Sequence, residues 1–118
     1  MKHIALTTLA LLTMLVPAMA HSPLETSVPA DGDELAAVPE TIDMTFAAPA
    51  RVMKVEMIHT NGDASHMVTV NIPTRDEIET ISLTPDFMGA GAYQVDWRAL
   101  SEDGHVITGT FSFTVTGE

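Results

Sequence analysis

From Thr41 onward the chain alternates apolar and polar residues with a period of two, in short runs broken by glycine and proline, which constrains it to strands. In Thr41–Phe46 the residues Ile42, Met44 and Phe46 fall on one face, while Thr41, Asp43 and Thr45 fall on the other, as in a strand buried on one side. Met53, Val55 and Met57 repeat the pattern against Lys54 and Glu56 and are expected to face inward. Asn61-Gly62 is a strong turn signal, and with a strand over about Met67–Ile72 it predicts a hairpin. A further strand is expected over Ile78–Leu83, ended by Thr84-Pro85-Asp86 and the Gly89-Ala90-Gly91 turn. Tyr93, Val95, Trp97 and Ala99 then alternate with Gln94, Asp96 and Arg98, and Thr110–Thr116 puts Phe111, Phe113 and Val115 on one face. Adding a first strand near Leu24–Val28 gives about seven short strands, the spacing of an all-β Greek-key sandwich or barrel. Its core should hold Ile42, Phe46, Val55, Val95, Trp97, Phe111 and Phe113. Asp31–Ala37, bracketed by Pro29 and Pro39, has room for one helical turn at most.

Trp97 and Tyr93 share a strand and read as packing residues, because an indole and a phenol bury large contact areas in a core that is otherwise aliphatic. Tyr93 precedes the inward Val95 by two residues, the spacing of the tyrosine corner in immunoglobulin-like domains. No cysteine is present, so the domain must hold by its core alone, and any metal site must use nitrogen, oxygen or thioether donors.

The start of the chain reads as an export signal. Lys2 and His3 are followed by an apolar run from Ile4 to Val16 and by Ala18-Met19-Ala20, the small-x-small pattern of a signal-peptidase site. Residues 1–20 are therefore expected to be removed, leaving one domain over residues 21–118 in a periplasmic or extracellular setting. Loss of Lys2 would take the formal charge from −11 to −12. Such a surface repels nucleic acid and anionic membranes and attracts cations.

Cleavage after Ala20 would make His21 the first residue, with a free α-amine beside its imidazole. Amine and Nδ1 together close a six-membered chelate ring on a metal ion. Cu(II), which prefers a tetragonal set of nitrogen and oxygen donors, then needs further donors, and Asp103-Gly104-His105 supplies a carboxylate and a second imidazole. Spaced i, i+2, both can project from one side, and Gly104 allows the bend that brings them together.

Several segments carry a resemblance. His21-Ser22-Pro23-Leu24, Ser27-Val28-Pro29-Ala30-Asp31-Gly32, Tyr93-Gln94-Val95-Asp96-Trp97-Arg98, and Ser101-Glu102-Asp103-Gly104-His105 followed by Gly109 and Phe111-Ser112-Phe113 resemble the CopC/PcoC periplasmic copper-resistance proteins, in order along the mature chain. The resemblance implies an immunoglobulin-like or cupredoxin-like fold. It also implies one Cu(II) held by His21, Asp103 and His105, and sequestration or transfer of copper, with a CopD-type membrane permease as partner.

Two departures from that family stand out. Many relatives carry an acidic residue two positions after the phenylalanine of the second strand, whereas Phe46 is followed here by Ala47 and Ala48. Some relatives also carry a dense methionine loop suited to Cu(I). This chain offers only Met53, Met57, His59, His66 and Met67, too few and too irregularly spaced, so weak Cu(I) binding or none is expected.

Other functional classes fit less of the sequence. Polysaccharide monooxygenases also bind copper with an amino-terminal histidine, but the likeness stops at that residue. Asp103 would also occupy a position that oxygen chemistry requires, so no enzyme is expected. A purely structural immunoglobulin-like module would explain the strands and give His21 no role.

Overall fold

The computed structural model describes residues 23–117, and every regular element among them is a strand. The elements are β1 (Leu24–Val28), β2 (Glu34–Leu35), β3 (Ile42–Asn61), β4 (Ala64–Val68), β5 (Val70–Asn71), β6 (Ile78–Pro85), β7 (Gly91–Ser101) and β8 (Val106–Val115). The first part of β3 lies between β1 and β6, and β5 extends that layer beyond β6. Its second part lies between β4 and β7, followed outward by β8 and β2. The result is an all-β Greek-key sandwich whose two layers share one long strand.

The sequence suggests two strands where β3 is continuous. Ala47-Ala48-Pro49 breaks the alternation, and the pairing with β6 shifts register between Thr45 and Ala50. Small side chains and a proline without an N–H let the strand bend from one layer to the other without ending. Ala50 marks the transfer, since it pairs with both Ile78 and Ser101.

A second irregularity corrects the expected orientation of Met53. Val52 pairs with Ala99 and Lys54 with Arg98, so Met53 is an extra residue on β3, a bulge. The inward set is Ala50 and Val52 before it, then Val55, Met57 and His59 after it. Met53 is exposed and Met57 is fully buried, although the simple alternation puts both inside.

The predicted hairpin forms around Asn61-Gly62, with Gly62 at φ 62° and Asn61 opposite Ala64. Its second strand is shorter than expected, because the chain leaves β4 at Thr69 and enters the other layer as β5. No helical turn forms over Asp31–Ala37; that segment instead runs along the edge of β8. Asp31 accepts a bond from Ser112 N at 2.9 Å, Gly32 N donates to Ser112 O at 2.7 Å, and Thr114 N donates to Asp33 O at 2.9 Å. Leu35 then pairs in parallel with Val115.

All the expected core residues are buried except Val55, which is partly covered and packs against the rest. Tyr93 stacks on Phe113 at 5.3 Å, and Trp97 meets Phe46 edge to face at 5.3 Å. The Tyr93 hydroxyl donates to Gly89 O at 2.6 Å and accepts from Met88 N at 2.9 Å, which is the tyrosine corner anticipated from spacing. Burial pushes its phenol pKa up, against a smaller opposing effect of the Met88 bond. Gly109 lies opposite Trp97, where a Cβ would come within 2.6 Å of the indole ring, so only glycine leaves room for the tryptophan.

Candidate metal centre

Asp103, Gly104 and His105 occupy the loop between β7 and β8, and the hairpin itself dictates their shape. Ser101 N donates to His105 O at 2.8 Å and Gly104 N to Ser101 O at 3.0 Å, so the chain must reverse within a few residues. Gly104 makes this possible with φ 88°, a left-handed conformation that residues with a Cβ adopt at a cost.

The reversal brings the two predicted ligand side chains together. His105 Nδ1 lies 2.9 Å from Asp103 Oδ2, with the two side chains 80% and 65% exposed. A pair so open to water contributes little to folding and remains available to an ion. The Ser101 hydroxyl donates to Asp103 Oδ1, and His105 N approaches the same oxygen at 3.3 Å. These contacts, the Ser101 bond first and the His105 imidazole and amide next, lower the Asp103 pKa to about 2. Asp103 is therefore an anion throughout the physiological range. Ser101 is the one member of this cluster that the sequence reading passed over. A serine two residues ahead of an aspartate in a turn was the available signal.

His21 lies outside the described residues. Among the described residues no three histidine, aspartate or glutamate side chains converge as a metal site, so Asp103 and His105 stand as a pair. Pro23 O accepts from Ala47 N at 3.0 Å and Leu24 pairs with Phe46, while Ala50, three residues further along β3, pairs with Ser101 at the base of the loop. Ala47 and Ala48 are exposed there, and neither supplies a carboxylate.

The Cu(I) candidates do not converge. His59 pairs with His66 across β3 and β4, but His59 is only 5% exposed, and its Nε2 lies 2.7 Å from Ala90 O. Its ring packs 4.7 Å from that of Tyr93. Met67 pairs with Ile58 and so belongs to the opposite face, Met57 is in the core, and Met53 is exposed at the bulge. His59 continues the inward face of Val55 and Met57, which takes it out of the surface.

Residues 24–116, nearly the whole described domain, match the CopC domain. The chain belongs to the CopC family. Among its CopC relatives, Copper resistance protein C of Escherichia coli is 38% identical over 106 residues, covering 83% of each chain. Copper resistance protein C of Pseudomonas syringae pv. tomato is 34% identical over 119 residues, covering 86% of this chain and 87% of the relative. The crystal structure of PcoC, a methionine-rich copper resistance protein from Escherichia coli, superposes with a TM-score of 0.65 at 32% identity, covering 82% of this chain and all of that one. CopC proteins are copper resistance proteins, not enzymes, which sets aside the oxygenase reading. Among the described residues no helix is long and apolar enough to cross a membrane.

Proposed function

We propose that the chain is a periplasmic copper carrier, made with a signal peptide over residues 1–20, whose mature domain over residues 21–118 binds one Cu(II) through His21, Asp103 and His105. The observation that carries this reading is the exposed Asp103–His105 pair at 2.9 Å. Two donors each about 2.0 Å from one ion and at right angles lie about 2.8 Å apart, so this spacing suits neighbouring positions of a tetragonal site. A cation arriving there displaces the proton that the pair shares.

His21 supplies the remaining donors as amine and imidazole. The path of the chain supports its participation: Pro23 is fixed at Ala47, and Ala47 stands about 10 Å along the strand from Ala50, the partner of Ser101. Two residues of backbone span up to about 7 Å, and the imidazole extends that reach. The absence of a carboxylate at Ala47 and Ala48 removes an outer partner that many relatives have, which lowers affinity about 10- to 100-fold relative to them.

The ion is cargo, sequestered or handed to a membrane protein, with a CopD-type permease as the partner that the family resemblance suggests. Cu(I) is bound weakly or not at all, since Met57 and His59 are committed to packing while Met53 and Met67 stand apart. The test is Cu(II) titration of correctly cleaved protein beside a form that keeps a methionine before His21. The added residue removes the α-amine from the chelate, so affinity should fall about as far as in His105→Ala. Equal affinity in the two forms would eliminate the amino-terminal site.

A further inference from the structure

The outer face of the β3–β7–β8 layer, beside the metal loop, differs from the rest of the surface in both polarity and charge. The bulge turns Met53 and Lys54 outward together, next to Leu100 and Val106, the residues that flank the Ser101–His105 loop. Met53 and Val106 are 44% and 55% exposed. With Arg98 these side chains line a cleft of about 260 Å³. That is below the roughly 300–1,000 Å³ of sites that enclose a small molecule, and it suits an anchoring side chain of a larger partner.

Charge identifies the kind of partner. Arg51, Lys54, Arg75 and Arg98 are all the cationic side chains after Lys2, in a chain with sixteen carboxylates. All four gather here: Arg51 pairs with Leu100, Lys54 with Arg98, and Arg75 Nη1 donates to Met53 O at 2.8 Å. Lys54 is engaged by Glu56 at 2.7 Å. Among the described residues none of the three arginines is in an ion pair, in a chain with a large excess of acid. Glu56 and Asp96 share this face, Glu56 engaged by Lys54 and Asp96 bonded by Thr110 and Gln94, so the unpaired guanidinium groups around the apolar cleft match a ligand that brings its own carboxylates.

We propose that this face docks an acidic protein segment with an aliphatic anchor, presented by the protein that exchanges metal at the neighbouring loop. The second half of that statement rests on the copper reading above; the docking itself does not. An anionic bilayer offers similar charge, but the strongly negative remainder of the domain opposes approach to an extended surface and tolerates a narrow segment.

The test is NMR titration of the metal-free domain with the blocked peptide Glu-Leu-Asp-Leu-Glu. Shifts should centre on Met53, Arg98, Leu100 and Val106. Affinity should fall at least about tenfold in Arg98→Glu and with Gln-Leu-Asn-Leu-Gln as ligand, and it should weaken with salt. Met53→Ser, an exposed change that leaves the fold intact, should weaken binding without altering its salt dependence. Four outcomes would overturn the proposal: absent or scattered shifts, undiminished binding to Arg98→Glu, perturbation of this face by phosphatidylglycerol vesicles and not by the peptide, or self-association through it in sedimentation. Cu(II) titration of the same sample separates the two readings, because loss of copper binding with peptide binding intact would reject only the copper assignment.

Discussion

His59 and His105 both sit near a hairpin, and the fold uses them in opposite ways. His59 is sealed between strands, its Nε2 held by Ala90 O, its ring against Tyr93, and Gly91 so close that a Cβ there would lie 2.5 Å from Nε2. His105 stands in water with a carboxylate on Nδ1. The first could reach an ion only by opening the core, whereas the second needs only to exchange a proton. Histidine content alone therefore says little about ligation; what surrounds each ring decides whether it is a strut or a ligand.

Substitutions at the two ends should separate these roles, and the largest effect is expected at the sealed one. Gly91→Ala puts a methyl into His59 and Thr60 at a φ of 138°, so chemical denaturation should show a loss of about 3–4 kcal/mol. Its folded fraction should bind Cu(II) with unchanged affinity. His59→Ala removes a buried ring and leaves Ala90 O only the longer bond from Asn61 Nδ2 at 3.2 Å, for a loss of about 3 kcal/mol, again with copper binding intact. Weakened Cu(II) binding in this variant would break the contrast.

His105→Ala should behave in the reverse manner. Cu(II) affinity falls at least about 100-fold, equivalent to about 2.7 kcal/mol, while the unfolding free energy stays within about 0.5 kcal/mol. The smallest effect is expected for Ser101→Ala, which removes the main cause of the low Asp103 pKa. The Asp103 carboxyl pKa should then rise toward the ordinary carboxylate value while the His105 contacts still hold it below, as followed by carboxyl carbon shifts. Because its pKa is depressed in the folded state, its small contribution to stability is present above pH 3.8 and lost as pH falls toward 2. Asp103 therefore stays ionised at mildly acidic pH, and its protonation is not what releases copper there.

The alternation of Ile42, Met44 and Phe46 and of Tyr93, Val95 and Trp97 was sufficient to find the strands and nearly all the core, since half-burial imposes period two directly. What it could not reveal was the phase change at Met53. A bulge inserts one residue without a composition signal, so Met53 was expected inside with Val55 and Met57. The continuity of β3 through Ala47-Ala48-Pro49 was hidden for a related reason, because a bend between layers and a loop share the same small residues. At the β7–β8 loop, the i, i+2 spacing and Gly104 sufficed to bring Asp103 and His105 together, because the turn is local. The crowding of all three arginines on one face was invisible, since it depends on which strands become neighbours.

The segment laid along β8 has a consequence for the protein in company. Asp31, Gly32 and Asp33 occupy the outward amide and carbonyl groups around Ser112 and Thr114, and Leu35 closes the end of the strand. An uncovered edge of that kind is a template on which another copy can lay a strand, the first step of fibrous aggregation. Here the template is blunted by the chain itself, with two carboxylates facing any molecule that approaches. A domain that folds among many copies of itself thereby finishes with this strand unavailable for recruitment.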